Sequence, residues 1–281
     1  PEGKDTLLSG QQDVKFISAS EPQYTFSSPE CRHSTLYMEK RAVEGEPTVF
    51  SETFEFTANG EWHNLKPEDV QPYDTTTALY KEYTAEREKH IVFSPRLREL
   101  AAKLTAGETN PYLKAKRIFR WVNDNFPWAS AREYSTIENI PEYVLDNRHG
   151  DCGQVSLLFI TLCRISGIPA HFQSGFMMHP RAWNLHDWAE VYFEGVGWVP
   201  VDQSFGIPAF ARNADEEYFF LGGIDSWRMI VNTDYGMPLQ PEKQYPRSET
   251  VDFQRGEVEW EGGNLYFPQW GYHMDIDYLN Y

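Results

Sequence analysis

Gly150-Asp151-Cys152-Gly153-Gln154-Val155-Ser156-Leu157-Leu158-Phe159-Ile160-Thr161-Leu162-Cys163-Arg164-Ile165-Ser166-Gly167-Ile168-Pro169-Ala170 is the stretch from which the rest of the chain is read. Gly150-Asp151 is a turn signal, and a strongly apolar run follows it. Leu157, Leu158, Ile160, Thr161, Leu162 and Ile165 predict a helix buried on most of its circumference. Gly167 suits the position just past the helix end, and Pro169 prevents continuation. Cys152 therefore falls in the first turn. Unpaired N–H groups and the positive end of the helix dipole favour a thiolate there, so a lowered thiol pKa and a nucleophilic role are expected. A lone cysteine more often fills space in a core. Residues downstream tip that balance.

Upstream, Ser94-Pro95 and Asn110-Pro111 each place an N-cap residue before a proline at the first helical position. Leu97, Leu100, Ala101 and Leu104 form the stripe of the first helix, which Gly107 ends. Leu113, Ile118, Phe119 and Val122 face inward in the second, until Phe126-Pro127 stops it. A Trp-, Tyr- and Ser-rich stretch at 127–147 reads as a loop leading to Cys152, where substrate contacts tend to gather. Residues 33–93 are strand-like. Leu36 and Met38 alternate with polar neighbours, as do Phe50, Phe54 and Phe56, and Asn59-Gly60 is a hairpin signal. This part reads as a small antiparallel β module for packing or spacing. Residues 1–30 show no sustained periodicity and are expected to lead in as extended chain.

Downstream, 169–177 reads as a strand, and 188–193 with 198–201 as a hairpin around Glu194-Gly195-Val196-Gly197. Further strand-like runs lie at 226–232, 250–260 and 271–279. Helices followed by antiparallel strands describe an α+β fold rather than alternating βαβ units. At 281 residues two domains are expected, divided as 1–93 and 94–281.

Composition narrows the function. A hydrophobic fraction of 41% marks a soluble globular chain, and no apolar run reaches the ~20 residues of a membrane span. A net charge of −17 excludes nucleic acid and anionic membrane surfaces as favoured partners. The 9 Trp and 16 Tyr fit an aromatic-rich core or a surface for sugars or peptides. The three cysteines make no disulfide framework. Cys152 and Cys163 share one helix about 16 Å apart, too far to bridge. Cys163 is expected to be inert core, and Cys31 has no evident partner. His149 and His179 are tempting as extra acid–base or metal groups, but His149 reads as a solvated turn histidine and no spacing suits a metal, so neither metal nor cofactor is expected. The polar opening from Pro1 reads as a mature or trimmed product whose targeting segment is gone.

His186 precedes the first strand of the hairpin and Asp202 closes its second, both at the open end, and they approach each other if the strand ends shift by a few residues from simple two-residue-turn pairing. A carboxylate on one imidazole nitrogen holds the tautomer and leaves the other nitrogen to take a thiol proton. Cys152, His186 and Asp202 then make a nucleophile with an oriented base.

Gly150-Asp151-Cys152-Gly153, Arg164-Ile165-Ser166-Gly167-Ile168-Pro169-Ala170, His186-Asp187-Trp188-Ala189-Glu190-Val191-Tyr192 and Gly197-Trp198-Val199-Pro200-Val201-Asp202 resemble, in that order, blocks of the transglutaminase-like superfamily. The resemblance covers about residues 94–206 and is to bacterial members with a papain-like cysteine proteinase core. It implies an α+β fold in which a helix-N-terminal cysteine packs on an antiparallel sheet, with an N-terminal β module and a C-terminal strand-rich extension. It also implies nucleophile Cys152, base His186 and orienting Asp202. Where the family often has a small residue after the histidine, this chain has Asp187, expected to raise the imidazole pKa or alter substrate choice. Asp187, Trp188 and Tyr134 are substrate-binding candidates. The N–H of Cys152 is the natural first oxyanion donor; Trp128, Tyr134 and Gln154 are candidates for a second. The run from Arg255 to Trp260 belongs to the extension and carries no evident chemistry.

The expected reaction is thioester formation on Cys152 from a peptide, protein or cell-wall-type peptide substrate. Water (protease or amidase) or an amine (transglutaminase) then resolves it. The competing expectation is a degenerate scaffold that binds protein or glycan through aromatic surfaces. The opening segment and the resemblance point to the periplasm or cell surface, with a lipid anchor upstream of residue 1 compatible. Few cysteines fit the cytoplasm equally well.

Overall fold

β1 (Gln12–Ala19), β2 (Tyr24–Phe26), β3 (Leu36–Met38) and β4 (Glu52–Ala58) form two antiparallel pairs, β1 with β4 and β2 with β3. They belong to a computed structural model that describes residues 12–279 except 131, 210, 267 and 268. Part of the expected lead-in is therefore strand, because Val14 and Phe16 align with Phe56 and Phe54; its first eleven residues lie outside the described ones. Asn59-Gly60 does not fold β4 back into a hairpin. β5 (Glu61–Trp62) pairs instead with Gly223–Ile224, far along the chain. β1 already occupies an edge of β4, and the backbone at Ile224 passes 3.5 Å from where a side chain on Gly60 would begin. A distant backbone partner has displaced the local turn.

After α1 (Ala78–Tyr83), Ser94 and Asn110 accept from Leu97 N and Leu113 N and cap α2 (Pro95–Leu104) and α3 (Pro111–Asn125). The expected loop 127–147 contains α4 (Ile140–Asn147). Asn139 caps it by accepting from Glu142 N at 3.0 Å, with Pro141 in its first turn. That is the start signal of α2 and α3 with the proline one position later, on a shorter helix. α5 (Cys152–Ile165) is buried from Gly153 to Arg164, with α2, α3 and α4 packed around it.

β6 (Ala170–His179), β7 (Ala182–Phe193), β8 (Gly197–Val201), α6 (Ala214–Glu217), β9 (Gly223–Ile224) and β10 (Arg228–Thr233) follow. The four-stranded antiparallel sheet has the order β10-β6-β7-β8 and lies against α5. Along β7, Ala189 and Val191 enter the core shared with α5, whereas Trp188 packs on Ile224 and Ile230. Alternation then puts Asp187 on the α5 face and His186 on the Trp188 face.

β11 (Val258–Trp260) and β12 (Gly263–Leu265) close a small hairpin. Of the strand-like run 250–260, the residues before 258 carry no strand. Carboxylates engage the backbone there: Glu249 Oε1 accepts from Val251 N at 3.3 Å and Glu257 Oε2 from Ser248 N at 3.1 Å. Residues 271–279 are also irregular, and the Tyr278 hydroxyl ties them to Met178 O at 3.1 Å. No helix among the described residues is long and apolar enough to cross a membrane.

Gly175 faces His186 across the β6–β7 register, and β10 passes so close that a Cβ there would lie 1.8 Å from Met229 O. The obstacle is backbone, so Gly175→Ala must displace β10. A denaturant melt is expected to show a loss of about 1–3 kcal/mol. An unchanged midpoint would mean that β10 yields freely.

Candidate active site

A capping box sets the position of Cys152, the candidate nucleophile. Asp151 accepts from Gln154 N at 3.0 Å, and Gln154 Oε1 accepts from Asp151 N at 3.4 Å. Cys152 is thereby the first residue of α5, its own N–H outside the helical ladder. The Tyr134 hydroxyl donates to Asp151 Oδ1 at 2.6 Å and lies 3.3 Å from Asp187 Oδ2. Gly153 permits this closeness, since a Cβ there would stand 2.5 Å from the Tyr134 hydroxyl and 2.7 Å from Asp187 Oδ2.

The Cys152 thiol donates to Asp187 Oδ2 at 3.4 Å, and the backbone N–H of Asp187 also points at the sulfur. The thiol therefore lies against the peptide joining His186 to Asp187. On the other face of β7, His186 Nε2 bonds Asp202 Oδ2 at 2.8 Å. Arg228 Nη1 donates to the same oxygen at 2.8 Å, and the N–H groups of Ser204 and Phe205 donate to Oδ1 at 3.1 Å each. The Trp188 and Phe205 rings flank the imidazole, at 5.9 Å and 5.4 Å between centroids. If Nε2 carries the proton in this bond, a neutral imidazole keeps its lone pair on Nδ1, the nitrogen a base needs.

Burial would push the Asp202 carboxyl up, but His186 and Arg228 outweigh it and hold the group well below the usual carboxylate range. The thiol behaves differently from the expectation. Burial, then Asp187 and Asp151, push Cys152 well above an ordinary cysteine. The helix terminus does favour a thiolate, but two carboxyl groups brought in by the fold oppose it. Burial and Asp151 push Asp187 itself up to about 8, and burial raises Asp151 to about 6.

The remaining sequence candidates occupy distinct places. Trp128 is 60% exposed, and its backbone bridges to Gly150 beside the nucleophile loop. The Gln154 carboxamide is committed to the capping box and, through Nε2, to Arg132 O at 3.4 Å. Trp188 is fully buried and donates to Gln173, so it walls the imidazole from behind. His179 approaches Asp225 Oδ1 at 3.3 Å. Sequence reasoning missed Arg228 and Gln254. A lone arginine inside the strand-like run 226–232 is the one available signal for the first, and none exists for the second. Among the described residues, no group of three His, Cys, Asp or Glu side chains is arranged to hold a metal ion.

Residues 98–203 match the sequence profile of the transglutaminase-like superfamily. The uncharacterised Bacillus subtilis protein YebA is 27% identical over 140 residues, which cover 43% of this chain and 19% of that protein. A Pseudomonas aeruginosa protein named protein-glutamine gamma-glutamyltransferase is 23% identical over 125 residues, 41% of this chain and 19% of its own length. The chain thus spans under a fifth of each of these relatives. The crystal structure of a candidate cysteine protease from Cytophaga hutchinsonii superposes with a TM-score of 0.53 at 18% identity, covering 80% of this chain and 71% of that one. That likeness establishes the fold.

Proposed function

We propose that this chain, whose residues 98–203 form a transglutaminase-like superfamily core, is a cysteine acyl-enzyme hydrolase. Its substrate is a peptide or isopeptide carbonyl, with Cys152 as nucleophile, His186 as base and Asp202 as orienting carboxylate. The observation that carries the reading is the 2.8 Å bond from His186 Nε2 to Asp202. It leaves Nδ1 as acceptor on a residue whose peptide touches the thiol. The imidazole lies on the opposite face of β7 from the thiol, so a swing of the ring or a bridging water must carry the thiol proton to Nδ1 as sulfur attacks the carbonyl carbon. The tetrahedral oxyanion meets the Cys152 N–H at the start of α5. As the C–N bond breaks, the imidazolium returns its proton to the leaving amine and a thioester remains. Water, deprotonated by the same imidazole, then cleaves the thioester to a carboxylic acid and free thiol. Partial exposure of Cys152 beside the exposed Trp128 gives water access and favours hydrolysis over transfer to an amine.

The test is mass spectrometry of acid-quenched protein after incubation with cross-linked and glutamine-containing peptides. An acyl adduct on Cys152 is expected, absent in Cys152→Ala, with turnover about 10²–10⁴-fold lower in His186→Ala. If no peptide gives an adduct, and alkylation of Cys152 has the same rate in His186→Ala as in the parent, the protein is a binding scaffold and this reading falls.

A further inference from the structure

The C-terminal extension reaches the site through one carboxamide. Gln254 Nε2 donates to His186 O at 3.0 Å and to Asp187 Oδ1 at 2.7 Å. It thus spans the two residues joined by the peptide against which the thiol lies. Gln254 is 8% exposed and Asp187 2%, so water does not readily replace that donor. We propose that Gln254 is a positioning residue for the nucleophile: it holds the Asp187 carboxyl against Cys152 Sγ, so that Asp187 governs how readily the thiol loses its proton. The inference rests on the reading of Cys152 as nucleophile.

The two oxygens of Asp187 have separate tasks. Oδ1 receives Gln254, and Oδ2 faces Cys152 Sγ at 3.4 Å and the Tyr134 hydroxyl at 3.3 Å. When thiol and carboxyl hold one proton between them, it sits on sulfur or on Oδ2, and the pair titrates as a unit. Donation by Gln254 stabilises the ionised carboxylate and so keeps that proton on sulfur. Removing it then requires two adjacent negative charges. Asp151 at the cap of α5 adds to the restraint on the thiol, whereas Glu249 and Asp252, on the segment that carries Gln254, face the Asp187 carboxyl and disfavour its ionisation, against which the Gln254 donor works. Arg255 is the cation there, bound to Glu249 at 3.2 Å and within 3.5 Å of Glu133. His186, next in the chain, faces Asp202 instead. The extension therefore acts as a brake on the thiol, released when a substrate displaces the Asp187 carboxyl.

The rate of Cys152 alkylation by iodoacetamide against pH, read by peptide mass spectrometry on the full chain, tests this. Buried Cys163 is the internal control for folding. Gln254→Met is expected to move the inflection to lower pH. Alkylation below the inflection should then be about ten-fold faster for every pH unit by which it moves. Asp187→Asn should move it at least as far, and adding Gln254→Met to that variant should change nothing further. A parent-like profile in Gln254→Met, or an equal displacement when Asp187 is already Asn, overturns the proposal. If Gln254→Met exposes Cys163, Gln254→Asn, too short to reach both acceptors, takes its place in the same comparison. Failure of the hydrolase reading has a different mark: His186→Ala alkylates like the parent whatever stands at 254.

Discussion

Arg228→Met is expected to destabilise the protein by about 3–5 kcal/mol, the usual consequence of removing one partner of a buried ion pair. Arg228 and Asp202 are both fully buried, and Nη1 meets Oδ2 at 2.8 Å. Arg228 Nη2 also reaches Asp225 at 3.0 Å, and its guanidinium lies 4.3 Å from the Phe205 ring centroid. Methionine fills comparable space and leaves Asp202 with the imidazole and two backbone N–H groups. Because burial alone pushes Asp202 up and His186 and Arg228 together hold it down, losing one of them raises it toward protonation. Weakened attraction to the imidazole follows, so the His186-dependent part of Cys152 alkylation should fall too. Pairing Arg228→Met with Asp202→Asn should recover much of the stability, because no uncompensated charge remains. A urea-melt loss below about 1 kcal/mol for Arg228→Met would show that the pair is not a buried charge balance.

What the sequence made legible follows the range of the forces involved. α5 rests on local chemistry, the Asp151–Gln154 box at its start and Gly167 past its end, so its bounds could be read directly. The approach of His186 to Asp202 was readable because a hairpin is also local. Ala189 opposite Val201 puts Asp202 across from Trp188, on the His186 face. Gln254 lies 68 residues from His186, in a segment without regular structure, and no periodicity announces such a contact. The thiol shows the same divide. Its helix-terminal position, a local fact, argued for a thiolate. The carboxyl groups that oppose it come from β7 and from the cap, and only the folded chain brings Asp187 against the sulfur.

Those carboxyl groups should also give the protein an unusual pH dependence, with stability falling as pH rises from about 4 to 8. Burial and neighbouring acids raise Asp187 to about 8, burial lifts Asp151 to about 6, and burial with Glu249 raises Asp252 well above its ordinary value. In the unfolded chain these groups ionise near pH 4. Between the two values the folded state binds more protons than the unfolded state, so stability is fully present below about pH 4 and drains away as pH climbs toward 8. Each group that keeps its proton over this range adds to the fall of stability with pH. Asp202 has the opposite sign: its folded value is depressed, so its contribution is present above about pH 4 and is lost on acidification below that. Together they place the optimum near pH 4–5 rather than at neutrality. Thermal melts should give a clearly higher Tm at pH 5 than at pH 8. Asp187→Asn should flatten that slope, matching the parent near pH 4 and exceeding its Tm at pH 8. A parent Tm that stays level or rises from pH 5 to 8 would mean that these carboxyls are ionised in the folded protein. Asp187 would then be a plain anion beside the thiol instead of a group that shares its proton.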